Sequence, residues 1–253
     1  MIDVKAMPHL ADIPRVQAGI RPDATAFWFE GETTSFAQLE TRSTQVANGL
    51  IALGVQTDDR VGYLAKNTSV YYEMMFGAAK ARAAMTAVNT RLAPPEVQFI
   101  LSDARVKILF VGKDFYSMID QIRADLPDLE QVIAIDGERD DWPSYTIWRD
   151  GQSTDAPGIE THDTDDVIQL YTSGTTGMPK GVQLTNGNYR AIFEQAGQLD
   201  WASYDVGDAV MNAMPLFHVA GVNIGILTAA QGANAVVLRE IDPTLILKLI
   251  PEH

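Results

Sequence analysis

Apolar and polar positions alternate along this chain in two periods, and the alternation itself predicts the architecture. Ala26 to Glu30 and Thr33 to Phe36 flank Gly31, a pattern that predicts a hairpin near the start. Ser35 then opens a helical pattern reaching Gly54, with Leu39, Val46, Leu50 and Leu53 on one face. A buried strand is predicted over Arg60 to Ala65, and an Ala- and Met-rich helix over Ser69 to Ala84. Tyr71, Tyr72, Met74, Met75 and Phe76 in that helix read as core packing.

Strand 86–88, helix 94–102, strand 107–111, helix 115–125 and strand 131–136 continue the alternation. After a polar connection over 150–165 come strand 167–171, a polar loop, strand 181–184 and helix 188–199. Strand 209–214, helix 219–230, strand 235–238 and a helix starting at Pro243 complete the pattern. Strands separated by helices of this length imply crossover connections, hence an α/β fold with largely parallel sheets and helices on both faces.

Composition narrows the function classes. With 19 Lys plus Arg against 33 Asp plus Glu, the 253-residue chain carries a formal charge of −14. Such a chain is repelled by nucleic-acid backbones and anionic membrane surfaces, so nucleic acid is set aside as a partner. The absence of cysteine excludes disulfides, cysteine-based zinc sites and a thiol nucleophile from these residues. No secretory pattern occupies the first ten residues. The uncharged stretch from Met211 to Leu238 is broken by Pro215, His218 and several glycines, so no membrane span is expected and a cytoplasmic location is the default. No two histidines have zinc-ligand spacing, and Asp163, Asp165 and Asp166 read as a solvated loop, so no metal site is predicted.

The informative loop is Tyr171 to Gly181, YTSGTTGMPKG. Its glycines (Gly174, Gly177, Gly181) let the backbone turn and bring N–H groups close to a ligand. Its hydroxyls (Thr172, Ser173, Thr175, Thr176) add donors and Lys180 adds a mobile positive charge. Successive N–H groups in such turns form a concavity for anions, which is what a polyphosphate requires. A flexible linker has a similar composition, but a linker has no reason to end in Pro179-Lys180-Gly181. A Walker A loop is excluded because Gly181 follows the lysine where a Ser or Thr is needed, and the dinucleotide fingerprint lacks its opening Gly-x-Gly. His218, between Phe217 and Val219 at a predicted strand-to-helix turn, is either a capping or core histidine or a site residue.

YTSGTTGMPKG resembles, without a gap, the signature phosphate loop of the adenylate-forming enzymes: acyl-CoA synthetases, peptide-synthetase adenylation domains and beetle luciferases. Asn89 to Phe110 (NTRLAPPEVQFILSDARVKILF) and Met214 to Gly221 (MPLFHVAG) resemble two further family segments in the same order. The resemblance implies an ATP-dependent acid–thiol ligase that activates a carboxylic acid as acyl-AMP, releases pyrophosphate and passes the acyl group to coenzyme A; fatty and aryl acids both stay open, with a fatty acid the favoured class. It assigns Thr172, Ser173, Gly174, Thr175, Thr176, Gly177 and Lys180 to the ATP phosphates and His218 to acyl-pocket gating. Magnesium is expected with the ATP.

Two α/β subdomains are implied, one over about 60–200 and one formed by 1–59 with 205–253. The family's adenine and ribose segments, its hinge and its C-terminal lysine do not occur before His253. The chain is therefore expected to be a truncated N-terminal domain without its C-terminal domain, and inactive alone. No catalytic residue is assigned within it. A carrier-protein thiol as acceptor, a luciferase-like reaction, and a non-catalytic nucleotide-binding half-domain stay open, as does a homodimer. One departure is Thr185-Asn186-Gly187-Asn188, where many relatives have Thr-His-x-Asn.

Overall fold

A computed structural model describes residues 2–137, 139–172, 177–196 and 203–252. Helix α1 (Asp12–Ile20) precedes the hairpin β1 (Thr25–Phe29) and β2 (Glu32–Ser35). Glu30 and Gly31 both take positive φ, 49° and 91°, as the tight turn between right-twisted strands requires. Helix α2 (Phe36–Ala52) starts at a reciprocal cap: the Ser35 hydroxyl accepts from Gln38 N and the Gln38 side chain accepts from Ser35 N.

The next elements are β3 (Arg60–Leu64), α3 (Val70–Lys80), β4 (Ala84–Ala87), α4 (Pro94–Asp103), β5 (Val106–Val111), α5 (Tyr116–Ile122), β6 (Gln131–Ala134) and α6 (Tyr145–Asp150). Then follow β7 (Asp166–Thr172), β8 (Lys180–Thr185), α7 (Asn186–Ala196), β9 (Ala209–Asn212), α8 (Val219–Gln231), β10 (Asn234–Val237) and α9 (Pro243–Leu249).

Two sheets result. One has the order β6-β5-β3-β4-β7-β8, parallel except for the final antiparallel pair; the other has the order β2-β1-β10-β9. Within the second, β1 runs parallel to β10 and β10 parallel to β9. Every residue of β3 is buried, because both faces of its sheet are covered. On one face lie Val46, Met74 and Met75 of α2 and α3. On the other lie Val97, Ile100, Ile119 and Ile122 of α4 and α5. Helix α3 also joins the two sheets, since Tyr72 stacks on Phe27 of β1 with ring centroids 4.4 Å apart.

The predicted helix over 69–84 ends early. Arg82 enters the left-handed region (φ 58°), and Ala83 N donates to Ala78 O at 2.8 Å, closing the helix with the geometry usually reserved for glycine. The strand expected over 86–88 is β4, which begins two residues earlier, at Ala84, and is held between β3 and β7. Pairing on both sides outweighs the helix preference of alanine. Helices α1 (nine residues) and α6 (six residues) are absent from the sequence-based reading. The predicted helix from 188 begins at Asn186, and its end at Leu199 lies outside the described residues.

Candidate functional site

Strands β7 and β8 form a hairpin whose last paired residues are Thr172 and Lys180. The phosphate-loop sequence is therefore the hairpin connection, with Thr172 and Lys180 both exposed at its base. Ser173, Gly174, Thr175 and Thr176 lie outside the described residues. Gly177 has φ 105°, a conformation that favours glycine. Gly181 meets a different demand: a Cβ there would lie 2.4 Å from Gln169 Nε2. That amide is fixed, because Arg60 Nε donates to Gln169 Oε1 (2.6 Å) and Gln169 Nε2 donates to the Tyr171 hydroxyl (3.1 Å). The Tyr171 hydroxyl in turn donates to Asp103 at 2.6 Å. Burial and the neighbouring Asp103 carboxylate push the Tyr171 phenol well up, so it stays a neutral donor.

A second segment approaches from the four-stranded sheet. After β9 the chain turns through Met214 to His218, and His218 N donates to Pro215 O at 3.0 Å. His218 is the N-cap of α8, its Nδ1 facing Ala220 N at 3.5 Å, and it is exposed. The capping role foreseen for a lone histidine is thus occupied, and the ring still stands at a cleft. Gly221 permits the turn: a Cβ would sit 2.3 Å from Pro215 O and 2.7 Å from Met214 O, both immobile backbone atoms.

These two segments and the one beginning at Asn89 converge. A cleft of about 690 Å³ is lined by Thr172, Gly177 and Pro179 of the hairpin, by Asn89 and Leu92, and by Phe217 and His218. Phe99, Ile100, Leu170 and Val219 add apolar surface to the same cleft. Lys180 follows Pro179 directly. The positive end of the α8 dipole also opens here through Val219, which favours an anion beside it. The cleft thus combines an apolar lining with the positive end of a helix dipole. Among the described residues no three His, Asp or Glu side chains converge as a metal cage.

The reading of Asp163, Asp165 and Asp166 as a solvated loop is corrected. Each carboxylate meets its own cation: Asp163 pairs with Arg190 (2.6 Å), Asp165 with Arg82 (2.7 Å), and Asp166 with Arg60 (2.6 Å). The segment entering β7 is thereby tied to the start of β3, to the turn before β4 and to α7. Asn186, where many relatives of the resembling family carry histidine, is fully buried and structural. Its Oδ1 accepts from Leu10 N (3.1 Å) and its Nδ2 donates to His162 O (3.0 Å). Asn67 was not singled out from sequence, and its context AKNTS carries no signal that could have found it. It holds together the ends of three strands beside the cleft: Nδ2 donates to Met214 O and Leu238 O, and Oδ1 accepts from Leu216 N.

The fold and the convergence of these segments are those of an adenylate-forming enzyme. The chain belongs to the AMP-binding enzyme family, whose model matches residues 15–253. It is 37% identical over 222 residues to the fatty acid–[acyl-carrier-protein] ligase ScoC of Streptomyces coeruleorubidus, covering 86% of this chain and 41% of that protein. It is 34% identical over 246 residues to the long-chain-fatty-acid–CoA ligase FadD13 of Mycobacterium tuberculosis, covering 95% of this chain and 45% of that one. Among solved structures, the inhibitor-bound N-terminal domain of FACL13 from Mycobacterium tuberculosis superimposes with a TM-score of 0.88. The sequences are 32% identical there, with 97% of this chain and 61% of that one covered. The chain spans less than half the length of the curated relatives it matches. No helix among the described residues is long and apolar enough to cross a membrane.

Proposed function

We propose that the protein carrying this chain is an ATP-dependent acid–thiol ligase that activates a fatty acid as acyl-AMP and transfers it to coenzyme A. The observation that carries the reading is the single cleft shared by the phosphate-loop hairpin, the Asn89 segment and His218, with an apolar lining and a helix N-terminus. A carboxylate is a poor electrophile toward a thiol; attack on the α-phosphate gives it AMP as a leaving group. Thr172, Ser173, Gly174, Thr175, Thr176, Gly177 and Lys180 would hold the β- and γ-phosphates and stabilise the departing pyrophosphate, which is catalysis by prearranged charge. His218 would gate the acyl end of the cleft.

Magnesium would arrive with the nucleotide. It prefers phosphate oxygens over an all-protein cage, and the Thr172 hydroxyl offers one more neutral oxygen. These substrates suit a cytoplasmic setting. Residues about 60–200 would act as one α/β unit, and 1–59 with 205–253 as part of another. A carrier-protein thiol is the second reading, favoured by the similarity to ScoC.

The test is carboxylate-dependent ATP–pyrophosphate exchange by the uninterrupted reading frame, with fatty and aryl acids compared. Exchange should require an acid, favour fatty acids, and fall about 10²- to 10³-fold in Lys180→Ala, the usual cost of removing one prearranged donor. Thr175→Ala should fall in the same sense. Thioester formation on coenzyme A against a carrier protein separates the two acceptors. Absence of exchange with every acid would overturn the ligase reading.

A further inference from the structure

The turn that presents His218 is not held by its own sheet alone. It is bracketed by two side chains from the β3–α3 segment of the other sheet. On one side, Asn67 Nδ2 donates to Met214 O at 2.9 Å and to Leu238 O at 3.0 Å, while Asn67 Oδ1 accepts from Leu216 N at 3.0 Å. On the other, the Tyr72 hydroxyl donates to Gly221 O at 2.9 Å and accepts from Asn212 Nδ2 at 2.8 Å. The backbone is thus tied two and four residues before His218 and three residues after it.

The chemistry of the bracket is specific to an amide. Two carbonyls and one N–H converge on Asn67, which is 6% exposed, so the site needs two donors and one acceptor within a single short side chain. An aspartate of the same shape keeps the acceptor and sets a carboxylate against Met214 O and Leu238 O. An alanine leaves three backbone groups without their partner. Asn67 lines a neighbouring cavity that shares Phe217 with the His218 cleft, and it reaches His218 itself through the turn.

We propose that Asn67 is a positioning residue for acid activation: it fixes His218 and the first turn of α8 at the cleft. The inference rests on the ligase reading above. A displacement of about 1 Å at a reacting site costs roughly 10²-fold in rate, so a bracket of this kind matters for turnover even where the fold tolerates its loss.

The experiment is a double-mutant cycle in the uninterrupted protein, using acid-dependent pyrophosphate exchange with a fatty acid. Asn67→Asp should lower kcat/KM for the acid at least tenfold while the KM for ATP stays within twofold. In the His218→Ala background the same substitution should cost less than threefold, because the residue it positions is already gone. Tyr72→Phe, which removes one hydroxyl and adds no charge, should show the same non-additivity and serves if Asn67→Asp does not fold. An unchanged kcat/KM, a loss that multiplies independently with that of His218→Ala, or an equal rise in the KM for ATP would each overturn the proposal. Wild-type protein without acid-dependent exchange would defeat the ligase reading itself, a failure visible before any variant is compared.

Discussion

Glu73 on α3 is 1% exposed and accepts three charge-assisted or phenolic hydrogen bonds: from Arg42 Nη1 at 3.0 Å, Arg149 Nη1 at 2.8 Å and the Tyr145 hydroxyl at 2.8 Å. It therefore ties α3 to both α2 and α6. Burial and the Glu73 carboxylate push the Tyr145 phenol well up, so Tyr145 remains a neutral donor at working pH. Glu73→Ala would leave these donors facing an apolar gap. Arg42, 30% exposed, can turn to water; Arg149, at 8%, cannot, although Asp150 remains beside it at 2.7 Å.

Removing one partner of a buried ion pair costs about 3–5 kcal/mol. The second acceptor at Asp150 places this case near the lower end, about 3 kcal/mol. Glu73→Gln keeps the volume and one acceptor oxygen but loses the charge, for about 1.5–3 kcal/mol. Urea unfolding of the uninterrupted protein, followed by tryptophan fluorescence, should show the midpoint falling in both variants with the slope unchanged. A double replacement, Glu73→Leu with Arg149→Met, should be more stable than Glu73→Leu alone, because the stranded cation is gone. A Glu73→Ala cost below about 1 kcal/mol, or a double variant no better than the single one, would refute the reasoning.

Two further outcomes follow from the same geometry. Burial opposes ionisation of Asp165, but hydrogen bonds from Arg82 and from His162 N outweigh it and hold the carboxyl below its usual range. A carboxyl lowered on folding adds stability above its unfolded value of about 3.9, and that contribution is lost as pH falls through the lower folded value. Wild-type stability should therefore drop below about pH 4 more steeply than that of Asp165→Asn; parallel profiles would count against it. Gly225→Ala should destabilise by about 1–3 kcal/mol despite alanine's better helix propensity. The added Cβ would fall 2.2 Å from the Tyr72 ring and hydroxyl, which cannot retreat while stacked on Phe27. A neutral or raised unfolding midpoint would show that Tyr72 is free to move.

Much of the fold was legible where a local signal decides the outcome. The Ser35 cap, the turn at Gly31 and the burial of Val46, Leu50 and Tyr71 all follow from pattern and neighbouring residues. The phosphate loop was legible as chemistry because Gly, Thr and Lys concentrate there. What was hidden is non-local. The end of α3 is set by β4's pairing with β3 and β7, against the preference of its own alanines. The aspartates 163, 165 and 166 look solvated in sequence because their partners, Arg60, Arg82 and Arg190, come from elsewhere in the chain. Asn67 was invisible for the same reason: its value lies in three backbone groups about 150–170 residues away.

The parallel pairing of β1 with β10 joins Phe27 to Ala235, about 200 residues apart in the chain. A ribosome adds about 5–20 residues per second, so the N-terminal hairpin emerges roughly 10–40 s before the strand it pairs with. During that interval one edge of β1, which includes Phe27, has no neighbour, whereas the six-stranded sheet, encoded between Arg60 and Thr185, already has its sequence in hand. Translation therefore supplies the whole sequence of the six-stranded sheet before β10 exists to pair with β1, and that pairing carries the loop-closure cost of about 200 intervening residues.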